Sequence, residues 1–249
     1  RDIVEGRRHR VLSEGYELGE EIPEQRKVPL VPFISDNFLV CEIKRRSPSR
    51  GAIAIGLDAV EQAQNYSRSK VSSVSVVTEQ DYFDGCLGDL IAVKQSCPSL
   101  SVLRKDFLLD KQDIDISYRA GADAVLLLAS GFNKEKLKSI YEYAINLGLE
   151  VLVEIHDIND LQKARSVQPR LTGINSRNLT TFRVDKTLPA VLKPEIDWST
   201  KLLYESGILS VEDAAFARSA GFDGVLVGEA VVRKPELVRP LQQVLGTKI

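Results

Sequence analysis

The sequence predicts an α/β fold, a (β/α)8 TIM barrel with an extra N-terminal helical segment, and three observations support this class. Short apolar runs rich in β-branched residues recur eight times between residues 38 and 227, and helical patterns separate most of them. Buried parallel strands have this nearly continuous apolar character. Several runs end in a charged residue, as expected where strands meet at one polar mouth. The length of 249 residues is typical of one such barrel.

The chain begins with two segments that differ from the rest. The stretch 3–12 is short, charged and weakly amphipathic, which predicts a leading helix. The stretch 15–32 is rich in Glu and Pro, which predicts an irregular crossing segment. A flexible tail is the alternative interpretation. We predict a single barrel domain over residues 1–249, with residues 1–37 as its N-terminal extension.

The alternating part of the chain supplies the strands and helices in order. The clearest helix is 134–147, whose apolar residues share one face and which Gly148 ends. Ser210 is predicted to cap a later helix, because acidic residues follow it in the first turn. The strands are predicted at 38–44, 72–77, 101–105, 123–128, 150–155, 170–174, 201–205 and 223–227.

An internal echo favours a closed barrel over its main alternative. Segment 119–127 resembles segment 219–227, as in two half-barrels. The alternative is a doubly wound open sheet, which usually carries the motif G-x-G-x-x-G after its first strand. That motif is absent here. Eight units therefore indicate a barrel.

The composition excludes several classes of partner. The formal net charge is -2, from 33 Lys and Arg against 35 Asp and Glu, so neither nucleic acid nor an anionic membrane is expected to bind.

The few cysteines and histidines predict neither disulfides nor a metal site. The three cysteines, Cys41, Cys86 and Cys97, are scattered along the sequence, which is typical of reduced thiols. His9 and His156 lack paired spacing, so no metal site is expected. The sequence has neither an apolar run of membrane-spanning length nor a recognisable signal peptide, and we expect a cytoplasmic protein.

Charged side chains at the strand ends are the candidate catalytic groups. Side chains alternate between the faces of a strand, so Glu42 and Lys44 share a face, as do Asn175 and Arg177. Lys105 shares a face with Leu103 and lies at the mouth if Leu103 points inward.

A lysine at the mouth has two interpretations. Near other cations and partly removed from water, Lys105 is expected to have a disfavoured ammonium form and to act as a proton donor. The alternative is a structural Lys–Glu pair at the barrel mouth. Spacing alone leaves both open.

Three loops predict a phosphate site. The basic, Ser-bearing loop 44–51 follows the first strand, and its alternative interpretation is a solvated loop. Segments 205–208 and 227–230 follow strands seven and eight, where such barrels commonly bind phosphate. Gly207 and Gly228 allow backbone N–H groups to approach an anion. The carboxylate of Glu229 must point away, since it would repel phosphate.

Two aromatic residues could form a wall for an aromatic substrate. Phe83 follows the second strand and Phe107 the third. Membership of the ordinary apolar core is the alternative for both. His156 follows the fifth strand, and we interpret it as a loop residue rather than a catalyst.

Taken together, these segments closely resemble the indole-3-glycerol phosphate synthase family, (β/α)8 enzymes of tryptophan biosynthesis. The similarity spreads over nearly the whole chain in family order. The similar segments are EIKRRSPS at 42–49, TE-x-x-YF at 78–83, LRKDF at 103–107, GAD at 121–123, VEIH at 153–156, GINSRNL at 173–179 and ESGI at 205–208. The resemblance also implies that the extension 1–37 overlies the barrel mouth.

The resemblance implies a carboxy-lyase (EC 4.1.1.48) without metal or organic cofactor. The implied reaction closes the indole ring of 1-(2-carboxyphenylamino)-1-deoxyribulose 5-phosphate with loss of carbon dioxide and water. By position, Lys105 is the general acid that protonates the ketone oxygen. Glu154 is the carboxylate that handles a proton as the hydroxyl is lost.

The other implied roles concern binding and orientation. Glu42 and Asn175 assist and orient, and Lys44 lies beside the substrate carboxylate or the reacting oxygen. Arg177 holds the anthranilate end. Glu205 and Ser206 complete the mouth of the barrel. The aromatic ring of the substrate lies between Phe83 and Phe107. The implied phosphate contacts are Ser47, Gly207, Gly228 and the backbone of Glu229.

Two alternatives remain to be distinguished. Phosphoribosylanthranilate isomerase, another phosphate-binding barrel, needs a Cys–Asp pair, but Cys41 has the opposite parity to Glu42 and should face the helices. A non-catalytic ligand-binding barrel would not need both Lys105 and Glu154 at strand ends. We expect a monomer that acts on a small phosphorylated molecule, with other enzymes of the same pathway as possible partners. A plastid is the alternative location if the source is a plant.

Overall fold

Eight parallel strands close into a barrel in the computed structural model, which describes residues 2–35, 38–179 and 181–246. Each strand pairs with the next along the chain, and the last pairs with the first. The predicted strand bounds are confirmed to within one residue. The strands are β1 Phe38–Ile43, β2 Ser73–Val77, β3 Ser101–Lys105, β4 Ala124–Leu128, β5 Glu150–Ile155, β6 Leu171–Asn175, β7 Lys201–Glu205 and β8 Gly224–Val227.

Helices follow the strands on the outside of the barrel, and one helix precedes it. A short hairpin, Arg46–Ser47 with Gly51–Ala52, lies between β1 and the next helix. The helices are α1 Asp2–Glu14, α2 Ala59–Arg68, α3 Leu87–Ser96, α4 Lys111–Ala120, α5 Lys134–Asn146, α6 Ile158–Ala164, α7 Leu188–Leu192, α8 Val211–Ser219, α9 Glu229–Arg233 and α10 Val238–Leu245. None of these helices is both long enough and apolar enough to cross a membrane.

Strand alternation divides the buried residues into an inner and an outer core. The inner core fills the barrel and includes Val40, Leu103, Leu152 and Leu203. The outer core lies between the strands and the helices. Because Leu103 points inward, Lys105 lies at the carboxyl-terminal mouth, as the parity argument predicts.

The two half-barrels share the same contacts at equivalent positions. Asp123 accepts a hydrogen bond from the backbone N–H of Val102 at 2.8 Å, and Asp223 accepts one from Leu202 at 2.8 Å. The predicted cap at Ser210 is confirmed as a capping box with Asp213. Helix α4 starts with the same motif. The internal echo in the sequence therefore reflects repeated local structure.

The N-terminal extension contacts both ends of the barrel. Helix α1 lies at the mouth, where Ile3 borders the cavity. The crossing segment instead leads to the foot, where Phe33 joins the inner core and Glu150, at the start of β5, accepts the backbone N–H of Phe33 at 2.5 Å. Within the N-terminal extension, helix α1 is thus the part that lies at the barrel mouth. The extension predicted at 1–37 includes Arg1, Asp36 and Asn37, and the predicted domain ends with 247–249; these lie outside the described residues.

Candidate active site

A cavity of about 620 Å³ opens at the carboxyl ends of the strands. All of the predicted site residues border it, although they come from loops and strands spread over most of the chain. They are Glu42, Lys44, Ser47, Phe83, Lys105, Phe107, Glu154, Asn175, Arg177, Glu205, Ser206, Gly207, Gly228 and Glu229. Their individual roles stay predictions.

Lys105 lies at the centre of a carboxylate cluster. Its Nζ donates to Glu154 Oε2 at 3.0 Å and to Glu205 Oε2 at 3.2 Å. Strands β3 and β7 face each other across the eight-stranded barrel, and β5 lies midway between them. The lysine side chain is 19% exposed, so its ammonium group remains accessible from the cavity.

The expected charge state of Lys105 was wrong. Neighbouring cations were expected beside Lys105, and they would disfavour its ammonium form. Burial does lower the pKa of Lys105, but the carboxylates of Glu154, Glu205 and Glu42 outweigh burial and hold the pKa above its ordinary value. The ammonium form of Lys105 is therefore favoured.

The two glutamates beside Lys105 have opposite shifts. Burial raises the pKa of Glu154, but Lys105, His156 and Asn175 outweigh it and hold the pKa well below its ordinary value. Burial and the negative charge of Glu154 raise the pKa of Glu205 to about 8, against the opposing effect of Lys105. The two carboxyl groups are thus coupled, and ionisation of Glu154 disfavours ionisation of Glu205.

A second ion pair lies at the end of β1. Lys44 donates to Glu42 Oε1, as expected for residues two apart on one face. Gly228 makes room for this pair, since a Cβ there would lie 2.6 Å from Glu42 Oε1 and 3.1 Å from Lys44 Nζ. A side chain at 228 would displace the pair.

The end of β6 and its loop form another wall of the cavity. Asn175 Nδ2 donates to Glu154 Oε1 at 3.0 Å. The backbone N–H of Arg177 donates to the amide oxygen of Asn175 at 3.0 Å, and its guanidinium donates to the backbone of Phe182 at 2.9 Å. Phe182 also borders the cavity. The φ of 58° at Phe182 is unusual for an aromatic residue. Phe182 is not among the site residues predicted from the sequence.

The candidate phosphate side joins the loops after β1, β7 and β8. Ser47 borders the cavity with Gly207, whose φ of 78° suits glycine. Glu229 borders the cavity, and its Oε2 lies 3.2 Å from Arg50 Nε while its Oε1 lies 3.4 Å from Arg233 Nε. The expected orientation of this carboxylate away from the phosphate stays a prediction. Two cations thus hold the carboxylate at a place where it would otherwise oppose an anion.

Arg104 and Cys41, which have the opposite parity, face the helices and do not border the cavity. Arg104 is fully buried and donates to Asp106 Oδ2 at 2.9 Å. Cys41 is buried in the outer core, and burial raises the pKa of its thiol. The Cys–Asp chemistry of an isomerase therefore has no thiol at this mouth within the described part of the chain.

His156 has a closer relation to the site than the sequence analysis predicted. It follows β5 in a loop, as expected, but its Nε2 lies 2.9 Å from Glu154 Oε1 and its Nδ1 lies 3.4 Å from Asp160 Oδ2. Neither contact has the alignment of a straight hydrogen bond, so we describe them as ion-pair contacts. The i, i+2 spacing from Glu154 was the available signal.

Comparison with known proteins identifies the family. The sequence model described as indole-3-glycerol phosphate synthase matches residues 30–244. The chain belongs to the indole-3-glycerol phosphate synthase family. A relative of that name from Bacillus cereus (strain B4264) is 40% identical over 234 residues, which cover 93% of this chain and 91% of the relative. One from Bacillus anthracis (strain A0248) is 38% identical, with 93% and 92% covered.

Solved structures of other enzymes share the fold with this family member. 3-Hexulose-6-phosphate synthase from Salmonella typhimurium matches with a TM-score of 0.64 at 17% identity, covering 85% of this chain and all of that one. Thiamine phosphate pyrophosphorylase from Pyrococcus furiosus matches with a TM-score of 0.60 at 12% identity, covering 84% and 95%. These similarities show only that the barrel fold is shared.

The predicted enzyme class, a carboxy-lyase (EC 4.1.1.48) of tryptophan biosynthesis, is confirmed by the family.

Proposed function

We propose that this cavity carries out the ring closure of 1-(2-carboxyphenylamino)-1-deoxyribulose 5-phosphate to indole-3-glycerol phosphate, with Lys105 as the acid and Glu154 as the base. The observation that carries the proposal is the contact of one ammonium with two glutamates, Nζ to Oε2 at 3.0 and 3.2 Å, inside a cavity that glycine loops border. A monomeric state, pathway partners and a cytoplasmic location stay predictions from the sequence.

The first step forms the new carbon–carbon bond. The ring carbon that bears the carboxylate attacks the ketone carbon, and Lys105 gives a proton to the ketone oxygen, which becomes a hydroxyl. Carbon dioxide then leaves and returns its bonding electrons to the ring. A positioned acid typically contributes about 10²–10⁴-fold in rate.

The proton transfer by Lys105 prepares Glu154 to act as a base. The charge of Lys105 is the largest influence that keeps the pKa of Glu154 low. Once Lys105 is neutral, that influence disappears and the carboxylate becomes a better proton acceptor. Glu154 then takes the proton of the carbon beside the ring nitrogen while the carbon–oxygen bond breaks, and the hydroxyl leaves as water with a proton taken up from solvent. The 3.0 Å contact provides a route for returning the proton on Glu154 to Lys105.

The remaining residues hold the substrate in reach of this pair. Phe83 and Phe107 lie at the cavity wall and offer aromatic surface to the anthranilate ring. Arg177 and Lys44 supply positive charge for its carboxylate, and Glu42 orients Lys44. The backbone at 207 and 228–229, with Ser47, is the proposed phosphate grip. Such fixation of a flexible sugar chain can remove several kcal/mol of the barrier.

Fluorescence of the indole product, with no metal added, tests the assignment. Lys105→Ala is expected to lower kcat by at least about 10²-fold and to spare substrate binding, because only the proton donor is lost. Glu154→Gln should lose most of its activity with the fold intact. Lys138→Ala is the matched control, since Lys138 is an exposed lysine paired with Glu142 on α5. A Lys105→Ala enzyme with the turnover of this control would eliminate the proposed acid.

A further inference from the structure

His156 contacts the proposed base but does not belong to the cavity lining. Its Nε2 lies 2.9 Å from Glu154 Oε1, and its side chain is only 9% exposed. Unlike Glu154, it does not border the cavity. The imidazole therefore contacts the carboxylate without itself bordering the cavity.

We propose that His156, as an imidazolium, is a positioning residue that fixes Oε1 of Glu154 and leaves Oε2 to exchange the proton, a role that rests on the proposed function of Glu154. Asn175 Nδ2 also contacts Oε1, at 3.0 Å, so this oxygen has two neighbours. Lys105 alone donates to Oε2 within the described residues. When Lys105 releases its proton, Oε2 is the oxygen that loses its charged donor, whereas Oε1 keeps both of its neighbours.

The charged groups that face the imidazole favour its protonated form. Glu154 on β5 contacts Nε2, and Asp160 on α6 contacts Nδ1 at 3.4 Å. Lys163 lies 3.6 Å from the other oxygen of Asp160. From β6 the nearby Asn175 is neutral, and the turn Ala129–Gly131 after β4 carries no charged side chain. Two carboxylates thus bracket one ring.

The combined effect of burial and of the two carboxylates on the pKa of His156 agrees with the proposed positive charge of the imidazole. Burial lowers the pKa of His156, but its contacts with Asp160 and Glu154 outweigh burial and raise the pKa to about 10. The backbone N–H of His156 also donates to Asp160 Oδ2 at 3.1 Å, which ties the loop to the first turn of α6. The imidazolium is therefore held both by charge and by its own backbone.

The test replaces His156 by glutamine, which keeps an N–H donor of similar reach but cannot be charged. We expect the acid limb of the kcat–pH profile to move up by about 1–3 pH units, since a nearby opposite charge lowers a carboxyl pKa by that amount. KM should change little, because His156 does not touch the cavity. His9→Gln is the matched control, the same change at the exposed histidine of α1, and should leave the profile unchanged.

A second measurement needs no variant enzyme to be active. The chain has 2 histidines, so imidazole NMR signals can be assigned by comparing the unmodified protein with His9→Gln. The His156 ring is expected to stay protonated through the neutral range. A ring that titrates there, or a His156→Gln enzyme with an unmoved acid limb, would overturn the inference. These outcomes differ from failure of the proposed function, which would appear as full turnover of Glu154→Gln.

Discussion

Gly173 is the residue that allows a glutamate to lie beside the proposed base. It lies on β6 with its Cα facing the barrel interior, between Leu152 and Glu205. A Cβ there would overlap Glu205 Oε1 and lie 3.0 Å from Leu152 Cδ1. Space rather than backbone conformation therefore demands glycine at 173, because its φ is not in the left-handed region.

Substitution of Gly173 by alanine should displace the Glu205 carboxylate from Lys105. Overpacking of this kind costs about 1–3 kcal/mol of unfolding free energy. Urea unfolding measures that loss, and the indole assay measures the accompanying loss of turnover. Gly6→Ala is the opposite control, since no atom would crowd its Cβ and alanine favours helix α1 by about 1 kcal/mol. Equal stability of the Gly173→Ala and unmodified proteins would contradict this account.

The position of Lys105 could be predicted from sequence, but its charge state could not. Strand parity and the inward position of Leu103 suffice for the position, because they are local. The charge state depends on Glu154 and Glu205, which lie 49 and 100 residues away along the chain. Only closure of the barrel brings these carboxylates together. The contacts of His156 could not be predicted for the same reason, since only the folded structure shows which groups lie beside its side chain.

At the scale of elements, helix α1 is joined to the barrel by a buried ion pair. Arg7 Nη2 lies 2.6 Å from Asp113 Oδ1, and both side chains are almost completely buried. Asp113 also accepts the backbone N–H of Leu109 at 2.7 Å and so belongs to the cap of α4. One carboxylate thus connects the helix at the mouth with the start of a barrel helix.

Arg7→Met should loosen α1 and weaken substrate binding. Removal of one partner from a buried pair costs about 3–5 kcal/mol, because the other charge stays buried. We expect a lower urea midpoint and a raised KM, since Ile3 and Val4 of α1 border the cavity. Arg10→Met is the control on the same helix. Arg10 is 27% exposed, and its surface pairs with Glu14 and with Asp81 in the loop after β2 should each contribute about 0–1 kcal/mol. Similar losses in the two variants would argue against a special role for Arg7.

Element types were easier to predict than the path of the extension. The leading helix and the strands follow from local periodicity and β-branched runs. The crossing segment has no period, so the sequence gives no direction for it. Its path to the foot depends on distant acceptors, such as Asp123 Oδ1, which accepts the N–H of Val31 at 3.0 Å. Such contacts carry no local signal.

The whole molecule combines two half-barrels that carry different side chains at equivalent positions. Lys105 and Glu205 occupy the same position in the two halves, 100 residues apart, and meet at 3.2 Å across the mouth. Their aspartates, Asp123 and Asp223, each accept a backbone N–H from the strand before, at 2.8 Å in both halves. Repetition therefore supplies the frame, and side-chain divergence supplies the proposed acid and the carboxyl group beside it.

The same repetition provides a matched pair of variants for stability, Asp123→Asn and Asp223→Asn. Asp123 is fully buried between Lys94 at 2.7 Å and Arg26 at 2.7 Å, so its neutralisation leaves two buried cations without their carboxylate. We expect a loss of about 3–5 kcal/mol of unfolding free energy, as for other buried pairs.

Asp223 should respond much less, although its backbone contact is the same. Its ion-pair partner Lys201 lies 3.2 Å away and is 38% exposed, so water can solvate the lysine ammonium once the carboxylate is removed. The expected loss is about 0–1 kcal/mol. Urea unfolding of both variants in one buffer decides between two explanations. A large difference means that burial of the ion pair determines the loss, whereas equal losses would mean that the shared backbone hydrogen bond does.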